Sequence, residues 1–157
     1  MILRTLKTAA AAASFIAIGL SVSAVRFMPS ETAPKKPVIT VYKDPGCGCC
    51  KNWIQYLTKH GYTVDAKNAR DMPAVKRMLG VPAPLAACHT AVVNGYLLEG
   101  HVSAEDIDRL LAQKPKIAGI AVPGMPVGSP GMAGPHAQRY QVLGFDKKGK
   151  ITVFATH

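Results

Sequence analysis

The sequence predicts a small α/β domain behind a short apolar leader, and three observations carry that reading. A β-branched run, Val38-Ile39-Thr40-Val41-Tyr42, is bounded by Pro37 and by Asp44-Pro45-Gly46. The segment after it, Lys51 to Lys59, has helical spacing with Trp53, Ile54 and Leu57 on one face. Farther on, Asn94-Gly95 forms a strong turn pair between two more strand-like runs. The composition, 48% hydrophobic and 18% charged, is that of a globular chain and not of a disordered one. A length of 157 residues suits one modest core.

Residues 1–24 read as a secretory signal. Arg4 and Lys7 form a positive n-region, Thr8 to Val22 is apolar and alanine-rich, and Val22-Ser23-Ala24 resembles a small-residue cleavage site. The alternative is an N-terminal anchor, since Ala9 to Met28 carries only Arg26 as a charge and a stretch of roughly 20 apolar residues can span a bilayer. Either way the rest of the chain is exported, and any membrane contact runs through an uncleaved N-terminus. Residues 25–37 are a linker, polar and Pro/Lys-containing from Pro29 to Pro37, and residues 38–157 form the domain.

Within the domain the first helix ends near His60-Gly61, and Tyr62 to Ala66 alternates as a second strand. Asp71, followed by Pro73, caps a second helix that runs through Met78-Leu79 and is closed by Gly80. Val81-Pro82-Ala83-Pro84 breaks the chain before Cys88. Thr90 to Asn94 and Tyr96 to Glu99 make a hairpin, and the Ser103/Asp106 capping pattern opens a helix over Ala104 to Gln113. The order β-α-β-α-β-β-α is that of a thioredoxin-like fold. Gly119 to Pro135, with five Gly and four Pro, reads as a long loop. Tyr140 to Phe145 and Ile151 to Ala155 form an extra β-hairpin around Lys147-Lys148-Gly149. The expected architecture is therefore a thioredoxin-like domain with a C-terminal Gly/Pro-rich loop and an added hairpin.

The formal net charge is +10, but the basic residues are scattered and form only short doublets such as Lys35-Lys36 and Lys76-Arg77. No basic stripe interleaves with aromatics, which make up 6% of the chain, so nucleic acid is excluded as a partner and a solvated basic surface is expected. The glycines form neither a phosphate cradle nor a dinucleotide fingerprint. A monomer is expected.

Four cysteines remain beyond the leader, and three of them lie within four residues: Cys47, Cys49 and Cys50. Such clustering is unlike a stapling framework of disulfides. Cys47 and Cys50 stand as C-x-x-C between a strand and a helix start, where free backbone N–H groups and the helix dipole favour thiolates. Thioredoxin-type oxidoreductases use this arrangement, with Cys50 beneath a more exposed Cys47. Cys49 adds a third thiol that simple dithiol exchange does not need but that a soft metal does. Cys88 follows a Pro-containing loop and, in such a fold, faces the triad. A plain disulfide to Cys88, a metal-free thiol–disulfide oxidoreductase, structural zinc and a copper site are the competing outcomes. A Cys-His-Asp hydrolase is disfavoured, because that chemistry wants one nucleophilic thiol beside an orienting base.

Met125 and Met132 lie in the Gly/Pro loop, where no helical face needs them, and their thioethers are soft ligands. His101, after the hairpin, is a further candidate ligand. His89, next to Cys88 in a strand, is expected to point to the opposite face, and His136 lies in the loop. His60 and His157 read as solvated, Met72 and Met78 as ordinary helix residues.

Several of these segments together resemble one family. Cys47-Gly48-Cys49-Cys50-Lys51, Ala87-Cys88-His89-Thr90-Ala91, Gly95-Tyr96, Glu99-Gly100-His101-Val102 and the run from Ala121 to Met132 are similar to the signatures of a DUF-type periplasmic metal-binding family with CopG-like copper-resistance members. The resemblance covers about residues 38–156. It implies a periplasmic, thioredoxin-like domain that binds copper through the cysteines, serves copper tolerance and interconverts Cu(I) and Cu(II). Cys47, Cys49, Cys50 and Cys88 match the family's thiols, and Met125 and Met132 its loop methionines. Ala133 departs from the pattern, which has an acidic residue after Met132. Four thiolates outnumber what one Cu(I) needs, so a multinuclear Cu(I) cluster is expected, with other periplasmic copper-resistance proteins as partners.

Overall fold

The structure, a computed structural model, describes residues 35–157. The signal or anchor over 1–24 and the linker up to residue 34 lie outside the described residues. The elements are β1 (Val38–Lys43), α1 (Gly48–Lys59), β2 (Thr63–Asn68), α2 (Met72–Leu79), a single 3-10 turn (Ala83–Leu85), β3 (His89–Val93), β4 (Tyr96–Gly100), α3 (Ala104–Gln113), β5 (Gly119–Val122), β6 (Gln141–Phe145) and β7 (Ile151–Thr156). All seven strands join one sheet in the order β2-β1-β3-β4-β5-β6-β7. The pairs β1/β2 and β4/β5 are parallel and the other four antiparallel. Among the described residues no helix is long and apolar enough to cross a membrane.

Each element follows from its residues. In β1, Ile39 and Val41 alternate into the core. Helix α1 buries Cys50, Trp53 and Leu57, three positions three or four residues apart on one face. Trp53 is wholly buried and its indole N–H donates to the carbonyl of Val102 at 2.8 Å, tying α1 to the end of β4. Helix α2 is capped by Asp71, whose carboxylate accepts from the Ala74 N–H at 2.9 Å, and stops at left-handed Gly80. Ser103 caps α3, which buries Ile107 and Leu110 on the same core.

The element order β-α-β-α-β-β-α expected for residues 38–113 is the one found, and the later hairpin is β6/β7. Two expectations change. Helix α1 starts at Gly48, three residues earlier than the periodicity indicated, so Cys49 and Cys50 lie in its first turn and Cys47 caps it. Gly119 to Val122 is a fully buried strand and not part of the loop. A β-carbon at Gly119 would lie 2.2 Å from the Leu97 carbonyl oxygen, so the glycine that read as loop composition is what lets β5 approach β4. The Gly/Pro segment proper is then 123–140. His157 is also tied down: its imidazole Nε2 lies 2.7 Å from a carboxylate oxygen of the buried Asp106.

Candidate metal centre

At the end of β1 the chain turns on Asp44, whose carboxylate accepts from Gly46 N–H at 2.7 Å and whose carbonyl accepts from Cys47 N–H at 3.1 Å. The turn delivers Cys47 to the N-cap of α1, where its sulfur accepts from the Cys50 N–H at 3.3 Å. Cys47 and Cys50 form a disulfide, with Cys50 completely buried and Cys47 half-buried, the vertical order that the C-x-x-C reading anticipates. Cys49 and Cys88 are free and half-buried. Cys49 Sγ lies 3.5 Å from Cys47 Sγ, and all four sulfurs lie within 4.8 Å of one another. Residues 41 positions apart thus share one sulfur-lined site.

Sheet register brings Cys88 there. In the β1/β3 pairing Lys43 opposes His89, so the residue before His89 lies beside the turn that leads into α1. In the β3/β4 pairing Thr90 opposes Glu99, and the same register carried two residues outward opposes Cys88 to His101. A buried ion pair holds this corner. Glu99, with no exposed surface, accepts from Lys76 Nζ, from the Ala87 N–H at 2.6 Å and from Thr90 Oγ1 at 2.6 Å. Lys76 also donates to Thr90 Oγ1 at 3.0 Å. The carboxylate therefore fixes the backbone one residue before Cys88 and two residues before His101. Burial pushes the Cys88 thiol up to about 12, the negative charge of Cys49 adds to this, and the Lys76 ammonium opposes it.

Cys88 Sγ lies 3.1 Å from His101 Nε2 and 3.2 Å from His89 Nδ1. His101 Nδ1 lies 2.6 Å from the Pro130 carbonyl oxygen, a partner that can only accept. His101 therefore carries its proton on Nδ1 and turns the Nε2 lone pair toward the sulfur, the way a ligating histidine is commonly oriented. Both imidazoles are buried and both are held neutral, with burial as the main cause. His89 falls to about 3, chiefly through desolvation, and the Lys76 ammonium works in the same direction. The His89 ring packs 4.3 Å from Trp53 and 5.1 Å from His101, centroid to centroid.

The Gly/Pro segment forms a strap over the first turns of α1. A β-carbon at Gly131 would lie 2.8 Å from the Trp53 backbone nitrogen, so the strap touches the helix backbone. Met132 follows, half-buried, with its N–H on the Ser129 carbonyl at 2.9 Å. Met125 is 38% exposed and has a left-handed backbone, φ 48°. His136 is exposed on the same strap and His60 caps α1 with its ring nitrogen 2.7 Å from the Tyr56 carbonyl; neither shares the cluster.

Cys47, Cys49, Cys50 and Cys88 lie together, and His101 and His89 both adjoin Cys88, although strand alternation sends His89 to the other face. Cys88 precedes β3, so alternation does not apply across the pair. The Lys76–Glu99 pair was also missed, although a charged residue inside the apolar hairpin run Tyr96 to Gly100 is a sequence signal for a paired, buried charge. Thiolates and neutral imidazoles are donors that suit copper in either common oxidation state.

An α/β protein with a solvent-reachable cluster of thiols at a helix N-terminus is thus defined, with two neutral histidines behind it. Residues 85–132 match the family model described as "Protein of unknown function, DUF411". Two solved structures, Form 1 and Form 2 of "Copper resistance protein copG", are each 46% identical to the chain, cover 78% of it and 98% of their own length, and superpose with TM-scores of 0.73 and 0.74. No curated protein sequence matches. The chain belongs to the CopG-like copper-resistance family.

Proposed function

We propose that this is an exported, periplasmic copper-binding protein of copper tolerance, in which a thioredoxin-like domain holds Cu(I) on Cys47, Cys49, Cys50 and Cys88. The observation that carries the reading is the convergence of four sulfurs within 4.8 Å. Soft thiolates select Cu(I), and the helix N-terminus favours their anionic form. The strand order β2-β1-β3-β4, with α1 leaving β1 at the cysteines, supports the thioredoxin-like description. The apolar leader over 1–24 supports export, by cleavage or as an anchor. His101 serves as a nitrogen ligand, and Met132 and Met125 on the strap supply thioether contacts. More than one Cu(I) is bound, since four thiolates can bridge several ions.

Interconversion of Cu(I) and Cu(II) follows from the disulfide. When the Cys47 and Cys50 thiolates join, they release two electrons, enough to reduce two Cu(II) to two Cu(I). An external dithiol restores the pair with two electrons and two protons, itself becoming a disulfide. A metal-free oxidoreductase explains Cys47 and Cys50 but leaves Cys49, Cys88 and two buried imidazoles without a task.

Anaerobic titration of the reduced chain with Cu(I), with reactive thiols counted in parallel, tests the reading. Uptake of more than one Cu(I) with protection of all four thiols is expected. Weak binding that leaves Cys49 and Cys88 fully reactive would sink it.

A further inference from the structure

We propose that the end of the domain opposite the cysteines is a docking face for an anionic phospholipid membrane, which turns the metal centre away from the bilayer. Sheet register defines that end. Thr63 pairs with Val38, Val93 with Tyr96, Leu97 with Gly119, Gly119 with Phe145 and Phe145 with Ile151. The cysteines lie past the other ends of the same strands, where Lys43 pairs with His89 and Gly100 with Val122. Helices α1, α2 and α3 each run from the cysteine end to this one.

Basic residues that are scattered along the sequence are gathered here by the fold. Lys59 ends α1, Lys114 and Lys116 follow α3, and Lys147, Lys148 and Lys150 belong to the β6/β7 turn, all of them exposed. Among the described residues in the turns and strand ends at this end, Asp146 is the one acidic group. Its carboxylate is already occupied, accepting from the Lys148 and Lys150 N–H groups at 2.8 and 2.9 Å. The cysteine end is mixed instead: Lys67, Arg70 and Arg139 share it with Asp44, Asp71 and Glu105. Each ammonium held within a Debye length of an anionic bilayer adds to the attraction, so a one-sided cluster both binds and orients the domain.

Further observations favour a bilayer over a solvated basic face. Val38, Met78 and Ile151 are 51%, 73% and 41% exposed, and all three lie at this end. They are three of the five exposed large apolar side chains among the described residues. Between α2, β4 and the end of α3 runs a groove of about 760 Å3, whose lining combines Leu79, Leu111 and Ile117 with Lys114 and Lys147. Apolar surface flanked by ammonium groups matches the boundary between acyl chains and phosphates in a bilayer. The chain also enters the domain here, since Lys35 and Lys36 directly precede β1. The apolar leader is therefore joined to the domain at the docking end and not at the cysteine end. None of this depends on which metal the cysteines hold.

The test uses the compact unit Pro34–His157, which contains the whole core, so that the leader cannot itself bind lipid. Co-sedimentation is measured with vesicles of phosphatidylcholine, alone or with about a third phosphatidylglycerol. At low ionic strength, binding to the anionic vesicles is expected to be at least about tenfold tighter than to phosphatidylcholine, and to be lost in about 0.5 M salt. Lys114→Glu/Lys147→Glu/Lys148→Glu is expected to weaken it by at least about tenfold. Lys67→Glu/Arg70→Glu/Arg139→Glu, with the same change in net charge, is expected to keep it within about threefold. All six side chains are exposed, so neither variant disturbs the core. Wild-type protein reads the orientation: Cys49, free and half-buried, should react with a water-soluble thiol reagent equally fast with and without anionic vesicles. Absence of binding to anionic vesicles overturns the inference. So does equal loss in the two triple variants, which would mean attraction by net charge alone, or protection of Cys49 by vesicles, which would mean the opposite orientation. Retention on immobilised polyglutamate without vesicle binding would mean an acidic protein partner and overturns it as well. Failure of the reduced chain to take up Cu(I) overturns the copper reading instead and leaves the vesicle result standing.

Discussion

Gly131 rests directly on the backbone of Trp53: a β-carbon there would lie 2.8 Å from Trp53 N and 3.1 Å from its Cα. The contact is between a strap that carries Pro130 and Met132 and the helix turn that carries Cys49 and Cys50. Because helix backbone cannot yield as a flexible side chain can, Gly131→Ala must lift the strap. The residue also has φ +82°, a left-handed conformation costly for alanine. Gly124 is the control, with φ +76° and open space around it. Gly124→Ala is expected to cost about 1 kcal/mol from backbone strain alone. Gly131→Ala should cost about 1–3 kcal/mol more from overpacking. Urea denaturation of the two variants measures the difference. Gly131→Ala should also weaken metal binding, since the Pro130 carbonyl that orients His101 moves with the strap.

The Lys76–Glu99 pair gives a second prediction. Both groups are buried, and Glu99 accepts three hydrogen bonds at the corner that bears Cys88. Removing one partner leaves the other charge buried alone, and either Glu99→Gln or Lys76→Met is expected to destabilise by about 3–5 kcal/mol. The double variant should cost clearly less than the two single losses summed, because no uncompensated charge remains. A double-mutant cycle in denaturant reads this coupling. Additive losses would show that the pair holds nothing together.

What was legible in the sequence was the chemistry and the local structure, and what was not was register. Val38 to Tyr42, the Asn94-Gly95 turn, the Asp71 and Ser103 caps and Gly80 each announce an element through local physics, and each lies where expected. Cys47, Cys49 and Cys50 announce a thiol site by clustering alone. Cys88 was assigned to it through the fold, and His101 as a candidate ligand. Yet the nearness of His101 to Cys88 depends on β3/β4 pairing, which no short window encodes. Alternation sends His89 to the face opposite Cys88, but β3 begins at His89 and the rule does not reach back to Cys88. The strand β5 was hidden because Gly119 adjoins a Gly/Pro-rich run, and its role is to permit close approach to Leu97.

His89 predicts the acid limb of stability. Burial lowers it from 6.5 to about 3, so the folded protein holds it neutral where the unfolded chain would protonate it. Its contribution is fully present above pH 6.5 and is lost as the pH falls toward 3. His101, lowered by burial as well, adds in the same direction. The metal-free protein should therefore lose stability steadily between pH 6.5 and 3. His89→Gln should show a shallower decline over that window than wild type, measured as the denaturant midpoint against pH. Identical slopes would mean that other groups govern acid unfolding.

Cys88 predicts the alkaline limb with the opposite sign. Its thiol is raised from 9.0 to about 12, first by burial and then by the Cys49 charge, so the folded state keeps a proton that the unfolded chain gives up sooner. That contribution is complete below pH 9 and is lost as the pH rises through 12. Without metal, stability should fall across this window, and Cys88→Ser should flatten the fall. A bound metal ion reverses the situation, because it needs the thiolate and displaces the proton itself. Copper uptake by the reduced chain at neutral pH should therefore release protons, at least one of them from Cys88, and Cys88→Ser should release at least one fewer. Calorimetric titration in buffers of different ionisation enthalpy counts them, and an unchanged count in Cys88→Ser would show that this thiol stays protonated beside the metal.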